Sequence, residues 1–502
     1  MDFFANLSIG FAVALSPLNL FFAFLGASIG TAIGVLPGLG PATTIALLLP
    51  MTYGMDPTSA FILTAGVFYG AMYGGSTTSI LLNIPGEVAS VVTCLDGYQM
   101  ARQGRAGPAL GISAMGSFIA GTIGVLLMSL VAPPLASFAL DFGPVEYSSL
   151  IFLGLLMAVY LAGDDILKGL IMTTLGLLLG TIGLDPALGI DRFSLGIPML
   201  MDGINFVPVA MGLFGLSEVF VNLRVRETHE VFKTSLKGIL PNREDWKRSW
   251  APIMRGSLLG FIIGVLPGGG ALISSFMSYS IEKKVSKHPE TFGHGAIEGV
   301  AAPESANNAA STSSFIPLLT LGIPGNSAIA MLFVALMIHG IQPGPLLLSE
   351  HPRLFWGVVA SMYVGNVMLL GLNLPLIGFW VKLLKVPYHH LAALIAIIVM
   401  IGAYNLRNSV FDLGTLMFFG ITGYIFRKSA FPFAPLVLAL ILGPRLETAL
   451  QQSLTMSGAD PFIFFKKPIS VALLAVAVFV ISIPVIKWAW KRSRMAVRAE
   501  TG

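Results

Sequence analysis

The chain has 502 residues, 55% of them hydrophobic and only 11% charged, with a mean hydropathy of +0.83 and a formal net charge of +4. A soluble globular protein carries about 25% charged residues, so a water-soluble domain is excluded: its polar surface would not keep it dispersed. The basic residues fall in juxtamembrane clusters and not in one patch, which argues against nucleic-acid binding, and a lone cysteine, Cys94, excludes an internal disulfide or a cysteine metal cluster.

The N-terminus lacks a basic n-region followed by a small-residue cleavage site, so its first apolar stretch is expected to be an uncleaved span. Apolar runs such as Gly111–Val131, Leu170–Ile182 and Val471–Ile483 alternate with short polar links. A spanning helix needs about 20 mostly apolar residues, which predicts about eleven to thirteen membrane segments, some too short to cross alone.

The first half contains Gly30-x3-Gly34-Val35-Leu36-Pro37-Gly38-Leu39-Gly40 inside an apolar segment. Proline removes a backbone N–H and glycine frees the dihedrals, so the helix should break there. A break in hydrocarbon survives only when buried in protein or lining a wet cavity. Thr43 and Thr44 then fall on the first turn of the next helix. Further on, Gly75-Ser76-Thr77-Thr78-Ser79 leads through an apolar run to Asn83-Ile84-Pro85-Gly86, which reads as a re-entrant hairpin with a polar tip. Phe206-x-Pro208 and Glu218 close this half.

A charged stretch follows, residues 222–250, expected to be a cytoplasmic linker between repeats. The second half repeats the landmarks in order. Gly260-x3-Gly264-Val265-Leu266-Pro267-Gly268-Gly269-Gly270 matches the first break, and Ser274 and Ser275 follow it. Asn307-Asn308 and Ser311-Thr312-Ser313-Ser314 then lead to Gly322-Ile323-Pro324-Gly325-Asn326, and Phe433-x-Pro435 with Glu447 closes the half. Residues 1–221 and 251–450 are therefore read as two transmembrane repeats, with a C-terminal helix and basic tail over 451–502.

Lysine and arginine gather at Arg102/Arg105, Arg224–Arg248, Lys283/Lys284/Lys287 and Lys487–Arg498; the positive-inside rule puts these loops and the C-terminus in the cytoplasm. Their counterparts near His339–Pro345 and Pro50–Pro57 lack Lys and Arg, which points to inverted topology. The fold class expected is thus an all-α polytopic membrane protein, with two inverted repeats, broken helices and re-entrant hairpins.

Paired interruptions in two halves are the best sequence pointer to a transporter's site. Substrate contacts are expected from Ser76, Thr77, Thr78, Ser79, Asn83, Ser311, Thr312, Ser313, Asn326, Gly38 and Gly268. Hydroxyls, amides and helix N-termini can hold a carboxylate without burying a permanent charge. A cation, sodium by preference, is expected near Pro37, Gly40, Gly270, Asn307 and Asn308. Glu304 reads equally as a coupling residue or a helix-end acid, and Glu87 as a site or an interfacial acid. Asp164-Asp165 reads as an aqueous edge, His339 and Cys94 as structural, and Trp356 and Trp488 as interfacial anchors.

Gly-Val-Leu-Pro-Gly-Leu-Gly-Pro (34–41), Tyr-Gly-Gly-Ser-Thr-Thr-Ser-Ile-Leu-Leu-Asn-Ile-Pro-Gly-Glu (73–87) and Ala-Pro-Glu-Ser-Ala-Asn-Asn-Ala-Ala (302–310) resemble the large membrane subunit of the tripartite tricarboxylate transporter family. The resemblance implies a small four-helix membrane subunit and a periplasmic solute-binding protein as partners. It further implies secondary symport of organic di- or tricarboxylates such as citrate across a bacterial inner membrane, driven by sodium or protons. An elevator-type movement is expected by fold analogy, and a homodimer is left open. No cofactor and no catalytic set is expected: there is no H-E-x-x-H, and no G-x-x-x-x-G-K-[ST] loop for ATP. The alternatives are a permease for another small organic anion and an ion-conducting channel.

Overall fold

The structure is a computed structural model that describes residues 3–36, 40–161, 165–185, 189–222, 238–266, 270–383 and 388–482. In chain order the helices are α1 (Phe3–Ala14), α2 (Pro17–Val35), α3 (Pro41–Thr52), α4 (Pro57–Leu82), α5 (Val91–Arg102), α6 (Ala106–Ala139), α7 (Pro144–Leu161) and α8 (Ile166–Gly180). A two-residue antiparallel pair, β1 (Gly183–Leu184) with β2 (Asp191–Arg192), interrupts them. Then come α9 (Pro198–Met201), α10 (Phe206–Ala210), a π-helical stretch over Met211–Leu216, α11 (Ser217–Asn222), α12 (Arg243–Val265), α13 (Gly270–Val285), α14 (Glu298–Ser313) and α15 (Phe315–Leu321). The chain continues through α16 (Ser327–Ile338), α17 (Leu347–Glu350), α18 (Pro352–Asn373), α19 (Ile377–Leu383), α20 (Tyr388–Arg407), α21 (Val410–Lys428), α22 (Phe433–Met456), α23 (Ile463–Lys466) and α24 (Pro468–Ser482).

Among the described residues, five helices (α2, α6, α18, α21 and α22) are long and apolar enough to cross a membrane, and eight shorter helical stretches are also apolar. Their outward faces are apolar as well. On α21, Phe418, Ile421 and Ile425 are 63%, 51% and 55% exposed, while Leu416, Phe419, Gly420 and Gly423 on the other face are buried. Large side chains at that spacing would be costly in water and are at ease against lipid. The chain is an all-α polytopic membrane protein.

The fold divides into two compact units. One takes Met1–Leu140 and Val207–Ser429; the other takes Asp141–Phe206 and Ala430–Gly502. In the second, α22 lies along α7 and α8, and Arg192 reaches Glu447 through two hydrogen bonds of 2.6 and 3.1 Å. In the first, Glu218 pairs with Arg427. The recurring acids of the sequence, Glu218 and Glu447, thus each hold an arginine.

The first unit holds the site. Both breaks are present: α2 stops at Val35 and α3 starts at Pro41, and α12 stops at Val265 and α13 starts at Gly270. α2 lies against α4, and α12 against α14, through glycines four residues apart. A β-carbon at Gly26, Gly30 or Gly34 would come within 2.3, 2.4 and 2.3 Å of the carbonyl oxygens of Leu63, Val67 and Ala71. The equivalent distances from Gly256, Gly260 and Gly264 to the carbonyls of Ala302, Ala306 and Ala310 are 2.4, 2.2 and 2.4 Å. Glycine at i, i+4 and i+8 clears one helix face, so each pair of backbones meets with no side chain between.

The next landmark also recurs as geometry. α4 ends at Asn83 (φ 59°, ψ 29°) and α15 ends at Gly322 (φ 70°, ψ 25°), both left-handed and both followed by Ile-Pro-Gly. Asparagine and glycine are the residues that tolerate this conformation. The expected hairpin tips do not form at the hydroxyl clusters. α4 is continuous through Ser76–Ser79, because no proline interrupts it and Gly74 and Gly75 are needed for close approach. In the second repeat the helix is interrupted only at Ser314. Pro317 supplies no N–H for the Ser313 carbonyl, which divides α14 from α15.

Arginines in and near the basic clusters of the sequence pair with acids within this unit. Arg105 pairs with Asp245, Arg248 with Glu298 at 2.8 Å and Arg255 with Glu282 at 2.6 Å. Trp356, expected at an interface, is instead 3% exposed beneath α1, where its carbonyl meets Gly10. The close glycine contact draws α18 inward at that point. Trp488 and the basic tail lie outside the described residues, as do positions 223–237 of the linker.

Candidate functional site

The two repeats meet at Glu304. This α14 residue is fully buried, and its carboxyl group is held by Ser76 of α4, whose hydroxyl donates to Oε2 at 2.5 Å. Thr93 of α5 donates to Oε1, and Asn307 donates to Oε2 at 3.4 Å. Its polar contacts are with neutral groups, and among the described residues it has no ion-pair partner. An isolated carboxylate in a dry interior is expensive; here hydroxyls from the first repeat supply the hydrogen bonds that offset part of that cost. Ser76 and Glu304 sit 228 positions apart in the sequence.

The hydroxyl clusters lie in the last turns of α4 and α14, not at helix N-termini. The macrodipole there is negative at the exposed carbonyl ends, which disfavours an anion and favours a cation. Several of these side chains bond to backbone within their own repeat. Thr78 reaches the Gly34 and Val35 carbonyls at 3.4 Å, so the first hydroxyl cluster touches the end of α2 beside the break. Ser79 donates to the Gly75 carbonyl and to Ser90, both at 2.9 Å. Ser311 donates to the Asn307 carbonyl at 2.8 Å, Thr312 to the Asn308 carbonyl at 3.0 Å and Ser313 to the Ala310 carbonyl at 3.3 Å. Thr77 is buried on α4.

Asn83 ends α4, and Asn326 caps α16 by accepting from the Ile329 N–H at 3.0 Å. Gly40 caps α3, and Gly270 opens α13 with φ 48°. Pro37, Gly38 and Gly268 lie outside the described residues. Behind the breaks, Thr43 donates to the Phe214 carbonyl of the π-helical stretch at 3.0 Å, and Ser274 and Ser275 reach the Ala306 and Pro303 carbonyls at 3.3 Å. The N-terminal turns of α3 and α13 therefore pack on structure while their first backbone N–H groups remain outside the helical ladder.

Other acids have structural posts. Glu87 is buried and caps the turn after the first repeat's Pro-Gly, accepting from the Ala89 N–H at 2.7 Å. Asp165 caps α8, and Asp164 lies outside the described residues. His339 bridges the Ala335 and Thr52 carbonyls at 2.8 and 3.0 Å, which ties α16 to the end of α3.

Sequence reasoning passed over two groups. Asp96 on α5 is fully buried and accepts three backbone N–H groups, from Gly293, Gly295 and Ala296, at 2.8–2.9 Å, plus the Tyr279 hydroxyl at 2.8 Å. It fastens the loop that feeds α14. The second group lines a cavity with Asn308 and Thr312: Tyr69 and Tyr73 of α4 and Asn366 of α18. The signal was available, since Asn366 interrupts an otherwise apolar run and intramembrane polar residues are functional candidates by default.

These features, two matching helix breaks beside glycine-lined helix pairs in an apolar all-α chain, are those of a polytopic membrane protein, and comparison with known proteins gives its family. The model of the tripartite tricarboxylate transporter TctA family matches residues 20–438. The chain is 50% identical over 476 residues to the "Uncharacterized 52.8 kDa protein in TAR-I ttuC' 3'region" of Agrobacterium vitis, covering 95% of each chain. It is also 50% identical over 215 residues to the "Uncharacterized protein in TAR-II ttuC' 3'region" of the same organism, covering 43% of this chain and 89% of that one. The match spans both glycine-lined helix pairs, both breaks and the Glu304 junction, and the chain belongs to the tripartite tricarboxylate transporter TctA family, the large membrane subunit of such systems.

Proposed function

We propose that the protein is the permease subunit of a binding-protein-dependent symporter that imports organic di- or tricarboxylates, citrate-like in chemistry, on a sodium gradient. A periplasmic solute-binding protein delivers the substrate, and a small four-helix membrane subunit completes the complex in the bacterial inner membrane. The basic loops and C-terminus face the cytoplasm. The observation that carries this reading is the buried Ser76–Glu304 junction, where two repeats place a carboxyl group and neutral polar side chains between helix breaks. Substrate carboxylates meet the N-terminal turns of α3 and α13, where unpaired N–H groups and the macrodipole favour anions. The cation binds on the other side, at the carbonyl-rich ends of α4 and α14. Each ion offsets the charge of the other, so the dry site fills with both or neither. The movement we assign is elevator-type.

The test is uptake of labelled citrate by cells that express the three components together. Uptake should saturate, require the binding protein and collapse when a sodium ionophore abolishes the gradient. Flux that neither saturates nor needs the binding protein would instead indicate a channel.

A further inference from the structure

A cavity in the first unit lies where α4, α6, α14, α15 and α18 converge, and Tyr69, Tyr73, Asn308, Thr312, Phe315 and Asn366 contribute to its wall. Its volume is about 20 Å³, counted as space for the centre of a water-sized sphere. One water needs about 10–15 Å³ on that measure. The cavity therefore has room for one water or one dehydrated monovalent cation, and none for a carboxylate substrate.

The hydrogen bonds decide between charges. Asn308 gives its amide hydrogens to Ser117 Oγ at 2.7 Å, to the Glu304 carbonyl at 3.0 Å and to Asn307 Oδ1, and among the described residues its own Oδ1 accepts no hydrogen bond. Asn366 gives its own to the Phe118 carbonyl at 2.8 Å and to Thr122 Oγ1 at 2.9 Å, while its Oδ1 accepts only the Tyr73 hydroxyl, at 2.5 Å. Thr312 donates to the Asn308 carbonyl at 3.0 Å. The Tyr69 hydroxyl is buried beside Ser361, whose own hydrogen goes to the Val358 carbonyl, and it meets no partner at hydrogen-bond geometry among the described residues. Hydrogens on three of these four side chains are thus directed into the protein, and lone pairs on all four remain.

An anion would meet those lone pairs and be repelled. Divalent ions favour carboxylate ligands. No acid contributes to this wall, and no group of three or more His, Cys, Asp or Glu among the described residues could hold a metal. Neutral oxygens in a cavity of this size suit a monovalent cation. Asn308 and Thr312 lie in the last turns of α14, whose carbonyl end adds negative potential.

We propose that this cavity is a sodium site, with Asn308 Oδ1, Asn366 Oδ1, Thr312 Oγ1 and the Tyr69 hydroxyl as its ligands. The assignment rests on the sodium-coupled reading above and moves the cation from the carbonyl ends of α4 and α14 to side chains of α4, α14 and α18.

The experiment is thermal unfolding of the purified full-length protein against sodium chloride, with choline chloride at equal ionic strength as reference. Sodium should raise the melting temperature progressively, because a ligand that binds only the folded state stabilises it by mass action. Tyr69→Phe and Thr312→Val each remove ligand oxygen with little change of shape. Each should weaken the apparent sodium affinity at least tenfold. Equal responses to sodium and choline would mean a structural water only and would overturn the site, as would a wild-type sodium response in both variants. The measurement needs no carboxylate. If sodium binds here yet uptake ignores the sodium gradient, the site stands and the coupling falls.

Discussion

Gly260→Ala tests the claim that α12 and α14 meet backbone to backbone. The added β-carbon would lie 2.2 Å from the Ala306 carbonyl oxygen, where ordinary contact begins at 3.4 Å, a shortfall of about 1.2 Å. The obstructing atom is backbone, so no side chain can swing aside. Either the helices part by about 1 Å, which weakens dispersion contacts along the seam, or the strain stays in place. Overpacking of this kind costs about 1–3 kcal/mol, and the rigid obstacle puts this case at the upper end. Alanine returns about 1 kcal/mol of helix propensity, which leaves a net loss of about 2 kcal/mol. Gly371→Ala is the control, since this exposed α18 glycine has nothing within 4 Å of a new β-carbon. It should gain about 0.5–1 kcal/mol. Thermal unfolding in detergent reads both, and Gly30→Ala should match Gly260→Ala on the other helix pair. A Gly260→Ala protein as stable as wild type, or equal losses in both variants, would refute the backbone seam.

Ser76→Ala removes one donor from the buried Glu304 carboxyl; it should cost about 1–3 kcal/mol and depress uptake, measured together as unfolding temperature and initial rate. Asp96→Ala strands three backbone N–H groups, at a cost on the order of 3 kcal/mol or more, and limited proteolysis should then cut within residues 286–297; Asp96→Asn, with one carbonyl oxygen left, should fall between. Arg192→Ala breaks a part-exposed pair with Glu447 and should cost no more than about 1 kcal/mol, an effect that shrinks in high salt.

Much of the fold was legible because its devices are local. Pro-Gly inside an apolar run breaks a helix wherever it occurs, and glycines spaced by four announce a close helix contact. Ile-Pro-Gly, which recurs in both halves of the sequence, follows the ends of α4 and α15. The hydroxyl clusters misled for a related reason. Ser76–Ser79 look like a polar tip next to Gly74-Gly75, but those glycines serve packing, Ser79 bonds to the carbonyl one turn back, Thr78 reaches the end of α2, and Ser76 is taken up by Glu304. What decides the site is long-range. Ser76 with Glu304, Asp96 with Gly293 and Tyr73 with Asn366 are pairs separated by 228, 197 and 293 positions, and no local pattern foretells them. Glu304 alone stood out, as an acid in a stretch otherwise small and neutral.

The glycine seams also fix where the protein can yield. Two helices joined through their main chains behave like a laminate with little compliant ply: side-chain repacking absorbs little shear where the glycines of one helix face carbonyl oxygens of the other. Strain applied to α2 or α12 is carried along the seam to its end. There the laminate stops, at Val35 and Val265, and a few residues link it to α3 and α13. Each glued pair, α2 with α4 and α12 with α14, therefore yields as one body and not helix by helix.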